Sequence, residues 1–256
     1  MTESSTREMK PALGLAFRSL LRADATVLLR SYSVLIITLA LPILILFVTF
    51  HTAQTLGGAG ILIGLAIAYG QLSSGLLGYS QTVAKDRDAG VLQRLRVTPV
   101  PTWAIMSSRL TVQVAANLVL STIVIVIGSI LYGLRPGPAQ YVLALVVSVL
   151  SSAVFLALGQ ALVGLLRSSG LVNAVGRILY ILLILVALLG ATGVLGSTIK
   201  AVSQWTPVSA VMILFAAVLG TSGWDIQALW ALLTSIGYII IFATIGIRWF
   251  RWNPDS

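Results

Sequence analysis

Apolar positions dominate long stretches of this chain, and polar positions cluster between them. Six apolar runs have the length of a bilayer crossing, about 20 residues for a ~30 Å hydrocarbon core. They cover about residues 32–50, 60–81, 103–134, 140–166, 171–195 and 226–249. Pro42 kinks the first, and Gly and Ser are frequent in the second. The runs are divided by helix punctuation and not by the short alternating segments of a barrel. The pattern predicts an all-α polytopic membrane protein with six transmembrane helices.

Three stretches fit no simple crossing. Residues 9–29 place Leu13, Phe17, Leu20, Leu21, Val27 and Leu28 on one side of a helix, with Lys10, Arg18, Arg22 and Arg30 on the other. That is the pattern of an amphipathic helix lying in the membrane interface. Residues 82–101 hold Lys85, Asp86, Arg87, Asp88, Arg94 and Arg96, so they cannot lie in hydrocarbon. Their apolar residues Val83, Val91, Leu92 and Leu95 recur at helical spacing. Gly90 interrupts this short helix, and Pro99 and Pro101 end it. Residues 196–223 are apolar but broken by Lys200, Trp205, Thr206 and Pro207, and each half is too short to cross. They read as a re-entrant pair of short helices before the sixth span; the alternative is one more full span.

Composition supports the membrane class. Of the 256 residues, 58% are hydrophobic and only 9% charged, where a soluble domain carries roughly 25% charged residues. Mean hydropathy is +1.02. The net charge of +9 would suggest nucleic acid in a soluble protein, but here the charges sit at the ends of apolar runs, where they set orientation. With six spans, fourteen of the sixteen Lys and Arg fall on one side; Arg135 and Lys200 alone fall on the other. The basic side is cytoplasmic by the positive-inside rule. The expectation is a multi-pass protein of the inner (plasma) membrane with both termini cytoplasmic. Residues 1–30 form a cytoplasmic tail and interfacial helix without the pattern of a signal peptide, and 196–223 are extracellular. A seventh span would move Arg248 and Arg251 outside and spoil the asymmetry.

Candidate chemistry is sparse. There is no cysteine and one histidine, His51, which excludes thiolate metal sites and leaves too few ligands for a histidine one. No G-x-x-x-x-G-K-[ST] occurs, so no P-loop is present. Asp86-x-Asp88 has a spacing used by some metal-dependent transferases. With Arg87 between them, the two acids read instead as a helix start that offsets the macrodipole. Among intramembrane polar residues, Gln71, Ser74, Asn173, Arg177 and Tyr180 are candidates for a substrate pathway. Gly70, Ser74 and Gly78 have small-xxx-small spacing, which favours helix packing on that face. Arg177 lies some 9 Å into its span at ~1.5 Å per residue, and an intramembrane Arg is either functional or snorkels to the interface. Asp225 is placed to cap the last span.

The run Asp86-Arg87-Asp88-Ala89-Gly90-Val91-Leu92-Gln93-Arg94-Leu95-Arg96-Val97-Thr98-Pro99-Val100 resembles the signature of ABC-2 type transporter permeases, roughly E-R-E-x-G-T-L-E-R-L-x-x-T-P-[VL]. Asp86 and Asp88 stand where the signature has Glu, Val91 where it has Thr and Gln93 where it has Glu, and the spacing is intact. Ile105-Met106-Ser107-Ser108-Arg109 resembles the family's start of the third span. Leu166-Arg167-Ser168-Ser169 resembles its turn between spans four and five, and Trp205-Thr206-Pro207-Val208 its N-P-[LV] stretch.

The resemblance implies a single transmembrane domain over residues 1–256, with a cytoplasmic coupling helix between spans 2 and 3 in the loop 82–101. It implies two ABC ATPase subunits as partners, which bind ATP and Mg, with no cofactor on this chain. It further implies a second permease, of the same or a different chain. ATPase coupling is expected at Asp86, Arg87, Asp88, Gly90, Leu92, Arg94, Leu95, Thr98 and Pro99. The implied function is efflux of an amphipathic drug, antibiotic or lipid-like substrate, as in multidrug export. The other partners expected are membrane lipids, and no nucleic acid. Rival readings are an integral membrane enzyme acting on lipids and an ion-coupled secondary transporter. Both need carboxylates or histidines inside the spans, where none is found in the sequence.

Overall fold

The computed structural model describes residues 13–30, 32–52, 57–91, 94, 102–193, 196–220 and 223–249. Among them the secondary structure is entirely helical. α1 is Leu13–Arg30, α2 Tyr32–Val48, α3 Ala59–Asp88, α4 Thr102–Leu131, α5 Pro138–Leu165, α6 Ser169–Thr192, α7 Ser197–Ser203, α8 Pro207–Leu219 and α9 Ile226–Arg248. α3, α4, α5, α6 and α9 are long and apolar enough to cross a membrane. α2, expected as the first span, is a 17-residue helix containing Pro42, followed by a 3-10 turn at Phe50–Thr52.

Local chemistry fixes the helix ends. Pro138 opens α5, where its fixed φ is pre-set and its missing N–H costs nothing. Gln140 Oε1 accepts from the Gly137 N–H at 2.8 Å. Ser168 caps α6, Thr206 caps α8 and Asp225 caps α9, each through a side-chain oxygen that accepts a backbone N–H of the first turn. Gly90, at φ +69, ends α3 in the left-handed region a glycine tolerates.

α3 is the axis of the bundle. It packs against α2, α4, α5, α6 and α8, and Leu62, Ile63, Ile67, Leu72 and Leu76 are fully buried along it. Small residues permit the approach. A Cβ on Gly60 would stand 2.9 Å from the Ala216 Cα, and one on Gly64 the same distance from the Met212 Cα. Rising numbers on α3 meet falling numbers on α8, so the two helices are antiparallel.

Between Ser74 and Tyr79, α3 is wound as a π-helix. The wider turn presses the Gly75 backbone onto the α5 backbone at Phe155 and Gly159. It also breaks the expected small-xxx-small face. Gly70 packs on Leu120 and Pro42, and Ser74 faces Gln113, but Gly78 is half-buried and a Cβ there would meet only the Ser73 carbonyl of its own helix, at 3.9 Å. A spacing of four keeps one face only while the winding stays at 3.6 residues per turn.

The broken stretch 196–223 forms two short helices, α7 and α8. Ser203 lies against Gly190 of α6. The turn that follows lies beside α9: Trp205 and Trp230 have ring centroids 6.1 Å apart, and Tyr238 Oη donates to the Trp205 carbonyl. At the far end of α8, the Val218 carbonyl accepts from Gln140 Nε2 at 3.1 Å, within the first turn of α5. The hairpin therefore descends beside α6, turns at the exposed Gln204 and Trp205 beside α9, and returns towards the end at which it started.

Candidate functional site

The sequence places Asp86 and Asp88 at the start of a separate short helix in the loop 82–101. Instead, residues 83–88 continue α3, and the helix breaks at Ala89 and Gly90. Asp86 and Asp88 thus occupy the last turn of a helix, where the macrodipole disfavours acids, and not the first. Their neighbours supply the compensation. Asp86 Oδ2 pairs with Arg109 Nη1 of α4 at 2.6 Å. Asp88 Oδ2 accepts the Ser169 N–H at 2.8 Å, at the positive N-terminus of α6.

Arg87 does the converse. Only 1% exposed, it is the largest fully buried side chain among the described residues. Its Nη1 donates to the carbonyls of Val163 and Leu166, both at 3.0 Å. Those carbonyls belong to the C-terminal end of α5, where intrahelical donors have run out and the dipole is negative. Nε reaches Asp88 Oδ1 at 3.4 Å. Consecutive residues of α3 thus straddle the α5–α6 turn, the cation on one helix end and the anion on the other.

α1 joins the same end of the bundle, with Ser108 Oγ of α4 donating to Asp24 Oδ2 at 2.6 Å. Of the remaining coupling candidates, Gly90 is half-buried at the break and Arg94 is exposed beyond it. Leu92, Leu95, Thr98 and Pro99 lie outside the described residues.

The pathway candidates fall into two groups. Gln71 and Ser74 face the interior. Gln71 Nε2 donates to Ser121 Oγ at 2.9 Å and to the Ser148 carbonyl at 3.2 Å, and its Oε1 accepts from Ser151 at 2.5 Å. Ser74 Oγ accepts from Gln113 at 2.5 Å, and Asn117 donates to Ser152 at 2.8 Å nearby. These bonds join α3, α4 and α5 where no water is at hand to satisfy the groups.

Asn173, Arg177 and Tyr180 follow a spacing of four and three, and so share one side of α6. Asn173 Oδ1 accepts from Gln81 Nε2 of α3 at 3.1 Å, and the Tyr180 ring meets Tyr69 of α3 edge-on at 5.3 Å. Arg177, between them, is exposed. Gln81 and Tyr69 were not singled out in the sequence, since nothing local pairs residues about a hundred positions apart. Next to this stripe, Leu171, Ala174, Ile178, Ile181, Leu185, Leu188 and Thr192 are all exposed. They alternate by three and four, the spacing of a helix–helix seam.

Among the described residues, no group of three or more His, Asp or Glu is placed to hold a metal. His51 is exposed in the turn after α2, with its ring edge-on to Phe50.

A comparison with curated proteins found no match. The family model described as ABC-2 family transporter protein matches residues 46–248, a range that takes in the end of α3, the α5–α6 turn and the α6 stripe, and the chain belongs to that family.

Proposed function

We propose that this chain is the permease subunit of an ATP-binding cassette exporter, powered by separate ATPase subunits that bind ATP and Mg. It sits in the inner membrane with six spans, α2 being the first, and with the α7–α8 hairpin re-entrant from the outer side. Both termini and the segment after Gly90 are cytoplasmic. The helix ends support this orientation: Lys85, Arg87, Arg109, Arg167 and Arg248 cluster at one end of the bundle, and Arg135 and Lys200 at the other. Two ATPases and a second permease complete the transporter. The substrate is an amphipathic drug, antibiotic or lipid-like molecule, moved outward.

The observation that carries this reading is the junction at the end of α3. The segment after Gly90 is the one a cytoplasmic ATPase can grip, and just before it Arg87 and Asp88 join the end of α3 to the α5–α6 turn. A push on the segment therefore reaches three spans at once. In this scheme Arg87 and Asp88 transmit movement, and Arg94 with Leu92 and Leu95 makes the contact.

Co-purification of the tagged chain with its ATPase tests the scheme. Leu92→Asp combined with Arg94→Glu should abolish ATPase recovery, whereas Arg87→Met should leave recovery intact but reduce transport. Undiminished recovery with the double variant, or transport by the purified chain without nucleotide, overturns it.

A further inference from the structure

Arg177 is set two turns into α6, roughly 12 Å beyond Ser169 at ~1.5 Å per residue. A guanidinium at that depth in a span either snorkels to the interface or takes an anionic or strongly accepting partner. The described carboxylates are all engaged elsewhere. Asp24 accepts from Ser108, Asp86 pairs with Arg109, Asp88 holds Ser169 and Arg87, and Asp225 caps α9. Glu3, Glu8 and Asp255 lie at the ends of the sequence, outside the described residues. Among the described residues, therefore, Arg177 has no carboxylate, and its side chain is exposed.

The surroundings define what a partner would look like. Along α6, Asn173 and Tyr180 flank Arg177 and are held against Gln81 and Tyr69 of α3. The stripe is polar over two turns and has one charge. Beside it on the outward side of α6 are Ile178, Ile181 and Leu185, all exposed and apolar. A cation with hydrogen-bonding neighbours, set next to a bare aliphatic surface, matches an anionic headgroup carrying an apolar tail.

We propose that Arg177 is the anion-binding residue of a site on the α3–α6 face, and that the amphiphile taken there carries a phosphate or carboxylate. The inference rests on the transport reading above and adds the charge of the substrate. A guanidinium forks onto two oxygens of such a group, and in a low dielectric these charge-assisted bonds are stronger than neutral ones. Tyr69, Tyr180, Asn173 and Gln81 border the headgroup, and the α6 aliphatics take the tail.

The test uses the full chain in phosphatidylcholine nanodiscs and dodecyl phosphate with a photoreactive tail. Saturable labelling of α3 and α6 around Tyr69 and Tyr180 is expected. Unlabelled dodecyl phosphate should compete, and dodecyltrimethylammonium should not. Arg177→Gln should weaken labelling about tenfold or more, and Arg177→Lys, which keeps the charge, by clearly less. Thermal melting of both variants at the wild-type temperature excludes misfolding as the cause. Competition by phosphatidylglycerol added to the discs identifies a bilayer lipid as the source of the anion. Its failure to compete identifies a free amphiphile; both support the site. Labelling confined to the rim at Lys85 and Arg167, equal competition by the cationic detergent, or wild-type labelling of Arg177→Gln each overturns it. ATPase co-purification does not depend on Arg177, so loss of the site and loss of the transport reading are separately visible.

Discussion

Arg87→Met keeps most of the volume of a buried side chain and removes every donor. In the native protein, Nη1 serves two carbonyls, Val163 and Leu166, at 3.0 Å each. A hydrogen bond to a charged group contributes about 1.5–3 kcal/mol, and an acceptor left buried without a donor costs about 1–3 kcal/mol. The Leu166 carbonyl is only partly buried and can recruit water, so the Val163 carbonyl dominates the loss. A cation at a helix C-terminus adds about 0.3–1 kcal/mol. Met returns part of this through apolar contact and also removes Nη2, which is buried without a partner, so the net destabilisation is about 2 kcal/mol. At roughly 2–4 °C per kcal/mol, the melting point of the purified chain in detergent should fall by some 4–8 °C. Limited proteolysis should show new cleavage in the α5–α6 turn around Arg167, because the turn has lost its anchor. Arg87→Lys keeps the charge but not the planar fork, and should fall between the two. A Met variant that melts within about 1 °C of wild type, with an unaltered cleavage pattern, would refute the assignment of Arg87 as the cap of α5.

Four further outcomes follow from the packing. Gly159→Val drives a side chain into the Gly75 carbonyl and should destabilise by about 3 kcal/mol or more, the upper end of overpacking; Gly237→Ala, whose Cβ meets nothing within 4 Å, should stabilise by up to about 1 kcal/mol of helix propensity and raise the melting point by roughly 2–4 °C. Gln71→Leu removes three hydrogen bonds between α3, α4 and α5 and should cost about 2 kcal/mol at the ~0.6 kcal/mol typical of interhelical bonds in bilayers, read from the melting midpoint of reconstituted protein. A double-mutant cycle on Asp86→Asn and Arg109→Gln should give a coupling of about 1 kcal/mol or less, since both side chains reach solvent, and it should shrink in high salt.

Much of the architecture was legible in the amino-acid order. Apolar runs long enough to cross a bilayer have few alternatives to helix, because hydrocarbon leaves backbone groups no other partner. The helices α4 to α6 and α9 therefore fall where their runs predict, α3 starts where its run does but continues to Asp88, and Pro207 divides 196–223 into the two short helices α7 and α8 because it opens a helix well and continues one badly. Asp225 at its cap, Gly90 at its break and the polar stripe Asn173–Arg177–Tyr180 likewise follow from local chemistry.

Tertiary contact decided the rest. The order of residues gives the helical face of Asp86, Arg87 and Asp88 but not what stands opposite, and only the meeting of three helix ends turns them from a helix start into a clamp on the α5–α6 turn. The π-helix at Ser74–Tyr79 is also a product of packing, since no residue in it dictates the wider turn, and it removes Gly78 from the face its spacing suggested. Gln71 and Arg177, two polar residues inside apolar runs, end in opposite situations. One is enclosed by hydroxyls and a carbonyl from neighbouring helices, and the other is turned outward without a carboxylate among the described residues. Hydrophobic patterning sets which segments enter the membrane, because that depends on transfer of each segment alone. Which polar groups meet depends on helix rotation and crossing, which are properties of the assembled bundle.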